Sequence, residues 1–383
     1  MFAPKTDLCW TCQQGIGKLQ KSRNESDETK TKAVQDIEAH LKVAKTEREF
    51  YKEQCKEAVL PEGSDFGKTE PCSHDGPVHY SFDFAQQVHY PADPLQPGPI
   101  YFKTPRKCGI FGIHCEAINK QMNYLIDEAC AAGKGADCVV SLLHHFFENY
   151  GLGETELQLH CDNCSEQNKN SCLMWYMLWR VLTGRSKSVH VSFLIAGHTK
   201  FSPDRCFGVF KTKFNVNKVN TLDDIADCMS GPNQSHKIGL DHAAPENMLY
   251  YQWTDFLSKY FRKIEGILSY QHFCFSAEGV TLKKFSTSDA EPRDIIKELP
   301  PKDAMPPLKV LPGLSRKRQE YLYKEVRQFV EPLYQDVVCP MPTAPEMPPP
   351  ESPSTSQASP DSPPPQTVPQ KETAPRKRNV PSK

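Results

Sequence analysis

Three extended runs stand in a row before the first helical one, and that order limits the fold more than any other feature of the chain. Residues 79–88 (HYSFDFAQQV) alternate and are rich in aromatics, as a half-buried strand should be. Residues 106–116 and 121–130 are two further extended runs, joined by a short polar connection that suits a hairpin. Gly133-Lys134-Gly135 then breaks the pattern. Residues 136–150 follow with Val139, Val140, Leu143, Phe146 and Phe147 at helical spacing. From there the chain alternates. Residues 156–161 read as a fourth strand, and 169–182 as a helix burying Leu173, Met174, Met177, Leu178 and Val181. Residues 188–196 (SVHVSFLIA) read as a fifth strand, and 197–204 lead into a helix with Pro203 in its first turn.

The predicted order is βββαβαβα, an α/β arrangement on a mixed five-stranded sheet. It differs from a repeated βαβ nucleotide-binding fold because three antiparallel strands come first. This is the layout of a ribonuclease-H-like core. Three acids fall at defined places on it: Asp83 late in the first strand, Asp162 at the end of the fourth, and Asp204 at the start of the helix after the fifth. A carboxylate at a strand's carboxyl end, between buried elements, is costly unless a cation, a proton or several donors compensate it. Two such groups about 4 Å apart repel by roughly 4 kcal/mol at an effective dielectric near 20.

Three segments also look familiar in detail. Residues 82–91 (FDFAQQVHYP), 160–170 (HCDNCSEQNKN) and 197–208 (GHTKFSPDRCFG) resemble a family of multicopy animal proteins related to DDE-type transposases. The similarity runs from Cys9-Trp10-Thr11-Cys12 to Phe273-Cys274-Phe275. It implies that Asp83, Asp162 and Asp204 form a catalytic, metal-binding triad holding two Mg²⁺ or Mn²⁺ ions, with DNA as the partner. Two such ions could activate a water or a DNA 3′-hydroxyl and stabilise the leaving oxygen of an in-line displacement. A homo-oligomer is compatible with the resemblance.

Other residues carry two readings each. Asn163, Gln167 and Asn170 either orient Asp162 or contact a phosphate, or else cap the helix that begins near Lys169. His198, after a strand end, either meets the nucleic acid or bonds to backbone. Lys200 and Arg205, with Lys211 and Lys213, either grip a nucleic-acid backbone or form a solvated helix face. Trp175 and Trp179, at i and i+4, are expected as core anchors. Cys161 and Cys164 could present thiolates to zinc instead of framing an acid site. Cys9 and Cys12, a C-x-x-C pair, could supply half of a zinc site; His40, Cys55 and Cys72 are candidates to complete it, but none has a second ligand at diagnostic spacing.

The ends differ from the middle. Residues 1–75 hold the C-x-x-C pair and a charged helix over 30–58, with Ala33, Ile37, Leu41, Ala44 and Tyr51 along one stripe. This is a helical N-terminal extension of a core at 76–216. Residues 217–340 form an α+β extension: a short helix at 221–229, a helical stretch through Phe256, Tyr260 and Ile264, strands at 272–276 and 279–285, and a last helix over 315–334. Residues 341–383 are Pro/Ser/Thr-rich and expected to be disordered. The basic triplet Arg376-Lys377-Arg378 within them suggests nuclear import. A net charge of −1 argues against an overall basic coat. With no run of 18 or more apolar residues and no apolar leader, neither a membrane span nor a signal peptide is expected. Fifteen cysteines in such a chain imply a reducing compartment.

Three functions fit. The first is a transposase-derived enzyme for DNA cleavage and strand transfer. The second is a domesticated, catalytically inactive nuclear protein that binds DNA or protein on the same fold. The third is a host nuclease.

Overall fold

The computed structural model describes residues 8–229, 231, 233–239 and 248–342. These belong to one compact unit that ends at Pro342. The tail expected to be disordered lies outside the described residues but for its first two, and its basic triplet lies wholly outside them.

The five expected strands are all present, and they are the middle of a larger sheet. They are β1 (His74–Phe84), β3 (Arg106–Cys115), β4 (Lys120–Asp127), β5 (Glu154–Cys161) and β6 (Ser188–Phe193). The full sheet has ten strands, so the five-stranded expectation is corrected. Beyond the middle five come β2 (Val88–Tyr90), β7 (Gln234–Ile238), β8 (His272–Ser276), β9 (Gly279–Lys283) and β10 (Glu291–Arg293). Their spatial order is β10-β9-β8-β6-β5-β1-β3-β4-β7, with β2 paired to β3 off this path. β1, β3 and β4 run antiparallel in turn, β5 is parallel to β1, and β6 is parallel to β5. The two strands expected near residues 272–285 extend the sheet antiparallel to β6. At the other end β7 adds parallel to β4.

Strand alternation divides the sheet into two chemically different faces. Val78, Tyr80 and Phe82 of β1, Leu157 and Leu159 of β5, Val189 and Val191 of β6 and Phe273 and Phe275 of β8 enter the main apolar core. Helices α3 (Ala136–Asn149) and α4 (Ser171–Leu182) supply its other side, with Trp175 and Trp179 buried as expected of anchors. Helix α7 (Trp253–Leu257) packs on both.

The interleaved residues of the same strands are His79, Ser81, Asp83, His160, Ser192 and His272. They face the other way, where the sheet is covered by α2 (Asp27–Glu57), a 31-residue helix. Only Ala44, Glu47 and Tyr51 of α2 are buried. Its docking is therefore mostly polar. Glu47 meets His272 Nε2 at 2.6 Å, and Tyr51 donates to Glu116 Oε1 at 2.7 Å. Beneath it His79 Nε2 meets His160 Nδ1 at 2.8 Å, and burial lowers the His79 pKa to about 4, so this pair is neutral.

Helix α2 is preceded by α1 (Trp10–Lys21), and α5 (Ser202–Phe214) follows β6 as expected. Helix α6 (Leu222–Asp227) packs on β4 and β7, its Ile225 in a second apolar cluster with Ile110 and Leu125. None of the described helices is long and apolar enough to cross a membrane.

Candidate functional site

Asp83 is the next-to-last residue of β1. The parallel register sets Ser81 beside His160, so two residues on, Asp83 comes level with Asp162 at the end of β5. The third acid arrives on α5, in its first turn. Gly112, opposite Asp83 on β3, makes that approach feasible. A Cβ there would lie 2.8 Å from the Phe207 ring and 2.6 Å from Gln121 Nε2, so only glycine lets α5 lie this close to the strand.

The electrostatics record the convergence. Burial, then the charge of Asp162, then that of Asp204, push the Asp83 carboxyl up to about 7, against the Phe84 N–H and Lys134. The Phe84 N–H donates to Asp83 Oδ1 at 2.7 Å. Asp162 Oδ1 accepts from the Cys164 N–H at 3.1 Å and from Asn168 Nδ2 at 2.6 Å. Asp204 Oδ2 accepts the Phe201 N–H at 3.1 Å, a helix-start role in its own right.

Asp83 and Asp204 line one cleft of about 1270 Å³, together with Lys200, Arg205, His198, Glu116 and Asn119. Arg205 is turned to Asn119 Oδ1 at 2.5 Å. The opposite wall is α2, which contributes Lys45, Arg48 and Lys52. Those three, at i, i+3 and i+7, share one face of the helix. Sequence reasoning did not single them out, nor Glu116. Glu116 also accepts Ser81 Oγ at 2.5 Å and Ser202 Oγ at 2.8 Å. Burial would raise its pKa, but His114 and these hydrogen bonds hold it below the ordinary value.

In the polar run after Asp162, the capping reading holds for Asn170. Asn170 is the N-cap of α4, its Oδ1 accepting the Leu173 N–H at 3.0 Å. Asn163 donates to the Leu194 carbonyl and accepts Lys169 Nζ at 2.8 Å. Gln167 is half-buried in the same turn. The residue that orients Asp162 is Asn168. Cys161 is buried in the apolar core and Cys164 half-buried in the turn beyond it, and among the described residues no group of three or more metal-ligating side chains includes either.

A second constellation stands at the mouth of this cleft. Cys9 Sγ lies 3.2 Å from His40 Nε2, Cys12 Sγ 3.5 Å from His198 Nε2, and the two Nε2 atoms 3.2 Å from each other. All four ligand atoms lie within 4.8 Å of one another; among the described residues no other group of three or more His, Cys, Asp or Glu gathers this tightly. The cluster could bind a metal such as zinc. His40 was a candidate to complete the C-x-x-C pair; Cys55 and Cys72 are not in the cluster. His198, read from the sequence as either a nucleic-acid contact or a backbone-bonded loop histidine, turns its Nε2 into the cluster.

Residues 104–289 match the model of a domain of unknown function, DUF7869. The match covers just under half of the chain. No curated protein and no solved structure matches it. The matched span includes Asp162, His198 and Asp204 but begins after Asp83 and after the first three residues of the cysteine–histidine cluster.

Gly197 sets how closely the cluster can assemble. Its φ is +76°, and a Cβ there would lie 2.3 Å from Cys9 Cα and 2.8 Å from Cys9 N. Gly197→Ala is expected to destabilise the protein by about 1–2 kcal/mol through the left-handed backbone alone. It should also force Cys9 away from His198. Thermal unfolding and metal retention on dialysis check both; a variant equal to wild type in each would show that the loop has slack.

Proposed function

We propose that the chain carries out metal-dependent phosphodiester cleavage and strand transfer on DNA, with Asp83, Asp162 and Asp204 as the metal-binding triad. One observation supports this above the others: the Asp83 carboxyl is pushed up to about 7 by burial and by the charges of the other two acids. Acids from β1, β5 and α5 whose charges act on one another at the carboxyl edge of a sheet need compensating charge. The strand order β4-β3-β1-β5-β6, with the first three antiparallel and the last two parallel to β1, is the order expected of a ribonuclease-H-like core and supports the same reading.

The triad residues would hold two Mg²⁺ or Mn²⁺ ions, which when bound supply an activated nucleophile and charge stabilisation at the leaving oxygen. The chain's own residues prepare the site. The Phe84 N–H, Asn168 and the Phe201 N–H each fix one carboxylate by a hydrogen bond, so the acids are oriented before substrate arrives. Lys200 and Arg205 on one wall and Lys45, Arg48 and Lys52 on the other are placed to bind the phosphate backbone. Nuclear location and assembly as a homo-oligomer belong to the same proposal.

The test is a cleavage and strand-transfer assay of the full chain with Mg²⁺ or Mn²⁺ on labelled duplex, comparing wild type with Asp162→Asn. Cleavage that needs the metal and disappears in the variant supports the triad. Metal-dependent cleavage that survives in the variant sinks it. A binding-only reading has its own support, since Asp162 and Asp204 both accept hydrogen bonds from their own loops. Folded wild-type protein that binds DNA but cuts no substrate would select that reading; cleavage without strand transfer would select a host nuclease.

A further inference from the structure

The cysteine–histidine cluster joins three parts of the chain that lie outside the main apolar core; a small apolar cluster of Tyr51, Leu194 and Phe201 ties α2 to the loop before α5 but leaves α1 out. Cys9 caps the start of α1 and Cys12 lies in its first turn. His40 is near the middle of α2, and His198 is in the loop between β6 and α5. α1 has no buried residue, and α2 meets the sheet largely through polar contacts. Hydrophobic burial therefore gives this helical hairpin little hold on the sheet.

The distances decide what the four groups are for. A tetrahedral zinc ion with sulfur and imidazole ligands spaces its ligand atoms about 3.3–3.8 Å apart. Here Cys9–His40, Cys12–His198 and His40–His198 are 3.2, 3.5 and 3.2 Å apart, one within that span and two just under it. Hydrogen bonding does not explain the arrangement as well. The single in-plane lobe of His40 Nε2 would have to serve both Cys9 Sγ and His198 Nε2, each at 3.2 Å. One cation between the four atoms serves all of them. Two sulfurs and two imidazoles form a borderline-soft set that suits zinc and not the hard oxygen-seeking ions.

We infer that Cys9, Cys12, His40 and His198 form a closed, structural zinc centre that clamps the α1–α2 hairpin onto the loop leading into α5. With four protein ligands the ion has no open position, so its work is mechanical. The clamp holds the α2 wall of the cleft opposite Asp204. It stands whether or not that cleft cuts DNA, so failure of the cleavage assay would leave it untouched.

The full chain, stripped of metal and titrated with Zn²⁺ against a competing chelator, should bind one ion. With Co²⁺ in its place it should show the intense ligand-field bands of a tetrahedral sulfur–nitrogen site. His198→Asn should lose at least tenfold in affinity and raise amide exchange across α1, α2 and the 197–201 loop. His40→Cys should keep the ion and shift the cobalt spectrum toward three sulfurs, which guards against a variant that merely misfolds. Wild-type protein that takes up neither ion, an octahedral cobalt spectrum, or undiminished binding by folded His198→Asn would each overturn the inference. Retained zinc with unchanged exchange in the hairpin on its removal would overturn the clamp.

Discussion

Asp83→Asn is expected to abolish metal-dependent cleavage and, at the same time, to make the metal-free protein more stable at alkaline pH. Removing one ligand of a two-metal site should cost roughly a thousandfold in rate, about 4 kcal/mol of barrier. The stability change follows from the Asp83 carboxyl being pushed up to about 7 by burial and by Asp162 and Asp204. In the unfolded chain an aspartate ionises near about 4. The folded form thus holds a proton that the unfolded form releases across the window between about pH 4 and 7. Its stabilising contribution is complete below that window, declines through it, and is lost above it.

Asparagine cannot ionise, so the variant should match wild type near pH 4 and pull ahead as pH rises. At pH 8 the gain should be on the order of 2 kcal/mol, discounted from the full shift because the carboxyl is partly solvated. Adding Mg²⁺ at pH 8 should close the gap by stabilising wild type alone. Urea unfolding at the two pH values, with and without Mg²⁺, measures all of this. A variant less stable than wild type at pH 8 would show that Asp83 is a satisfied structural acid and would remove the main support for the triad.

The largest expected loss of stability lies away from the cleft. Asp127, at the end of β4, accepts Arg106 Nε at 2.7 Å and Nη2 at 2.6 Å, along with the Tyr90 hydroxyl and the Ala129 N–H. Arg106 also donates to the Val338 carbonyl at 2.6 Å, tying the end of the compact unit to β3. Both side chains are almost wholly buried, at 4% and 3% exposure. Asp127→Ala leaves a guanidinium inside the protein without its counter-charge and should cost about 3–5 kcal/mol. The double change Arg106→Met with Asp127→Leu should recover most of that, because it removes the unpaired charge along with the pair. Urea midpoints of the two proteins decide it. A single variant within about 1 kcal/mol of wild type would mean that water reaches the arginine.

The sequence was most readable where burial and periodicity coincide. β3, α3, β5 and α4 appear within two residues of their expected bounds because alternation or a 3.6-residue stripe carries their apolar residues into the core. Legibility fails where burial comes without regular structure. Trp253, Phe256, Leu257, Phe261 and Ile264 are all buried, but only Trp253–Leu257 is helical, and the rest of the expected helix packs as irregular chain. The last helix is present but irregular: α-helical over Arg316–Tyr321, it continues as a π-helical turn at Leu322–Val326 and a 3-10 turn at Arg327–Phe329. α1 went unseen because Gly15 and Gly17 weaken its propensity and no stripe marks it. Gly15 has its own reason to be there: a Cβ would lie 2.4 Å from Ile37 of α2.

The candidate site was legible to the same extent. Asp83 and Asp162 could be placed from strand ends, and Asp204 from the helix start marked by Pro203. The cysteine–histidine cluster could not, since His198 joins it from 158 residues beyond His40. No local spacing rule spans that distance. Glu116 could have been found as the acid just past an apolar strand, the same signal that marked Asp162.

The sheet's far edge has a consequence for how copies of this chain can meet. β10 is three residues long, Glu291-Pro292-Arg293, and its proline has no N–H to offer a further strand. The charged residues on either side of it are paired with each other, Arg293 Nη2 on Glu291 Oε2 at 2.6 Å. So short and interrupted an edge is a poor template for continuing a sheet from one molecule into the next. Long β-rich chains with an open edge tend toward fibres; this one is blunted on that side. An assembly built by pairing strands at this edge is disfavoured, which leaves β7 at the opposite edge, or the helices and loops, to carry one.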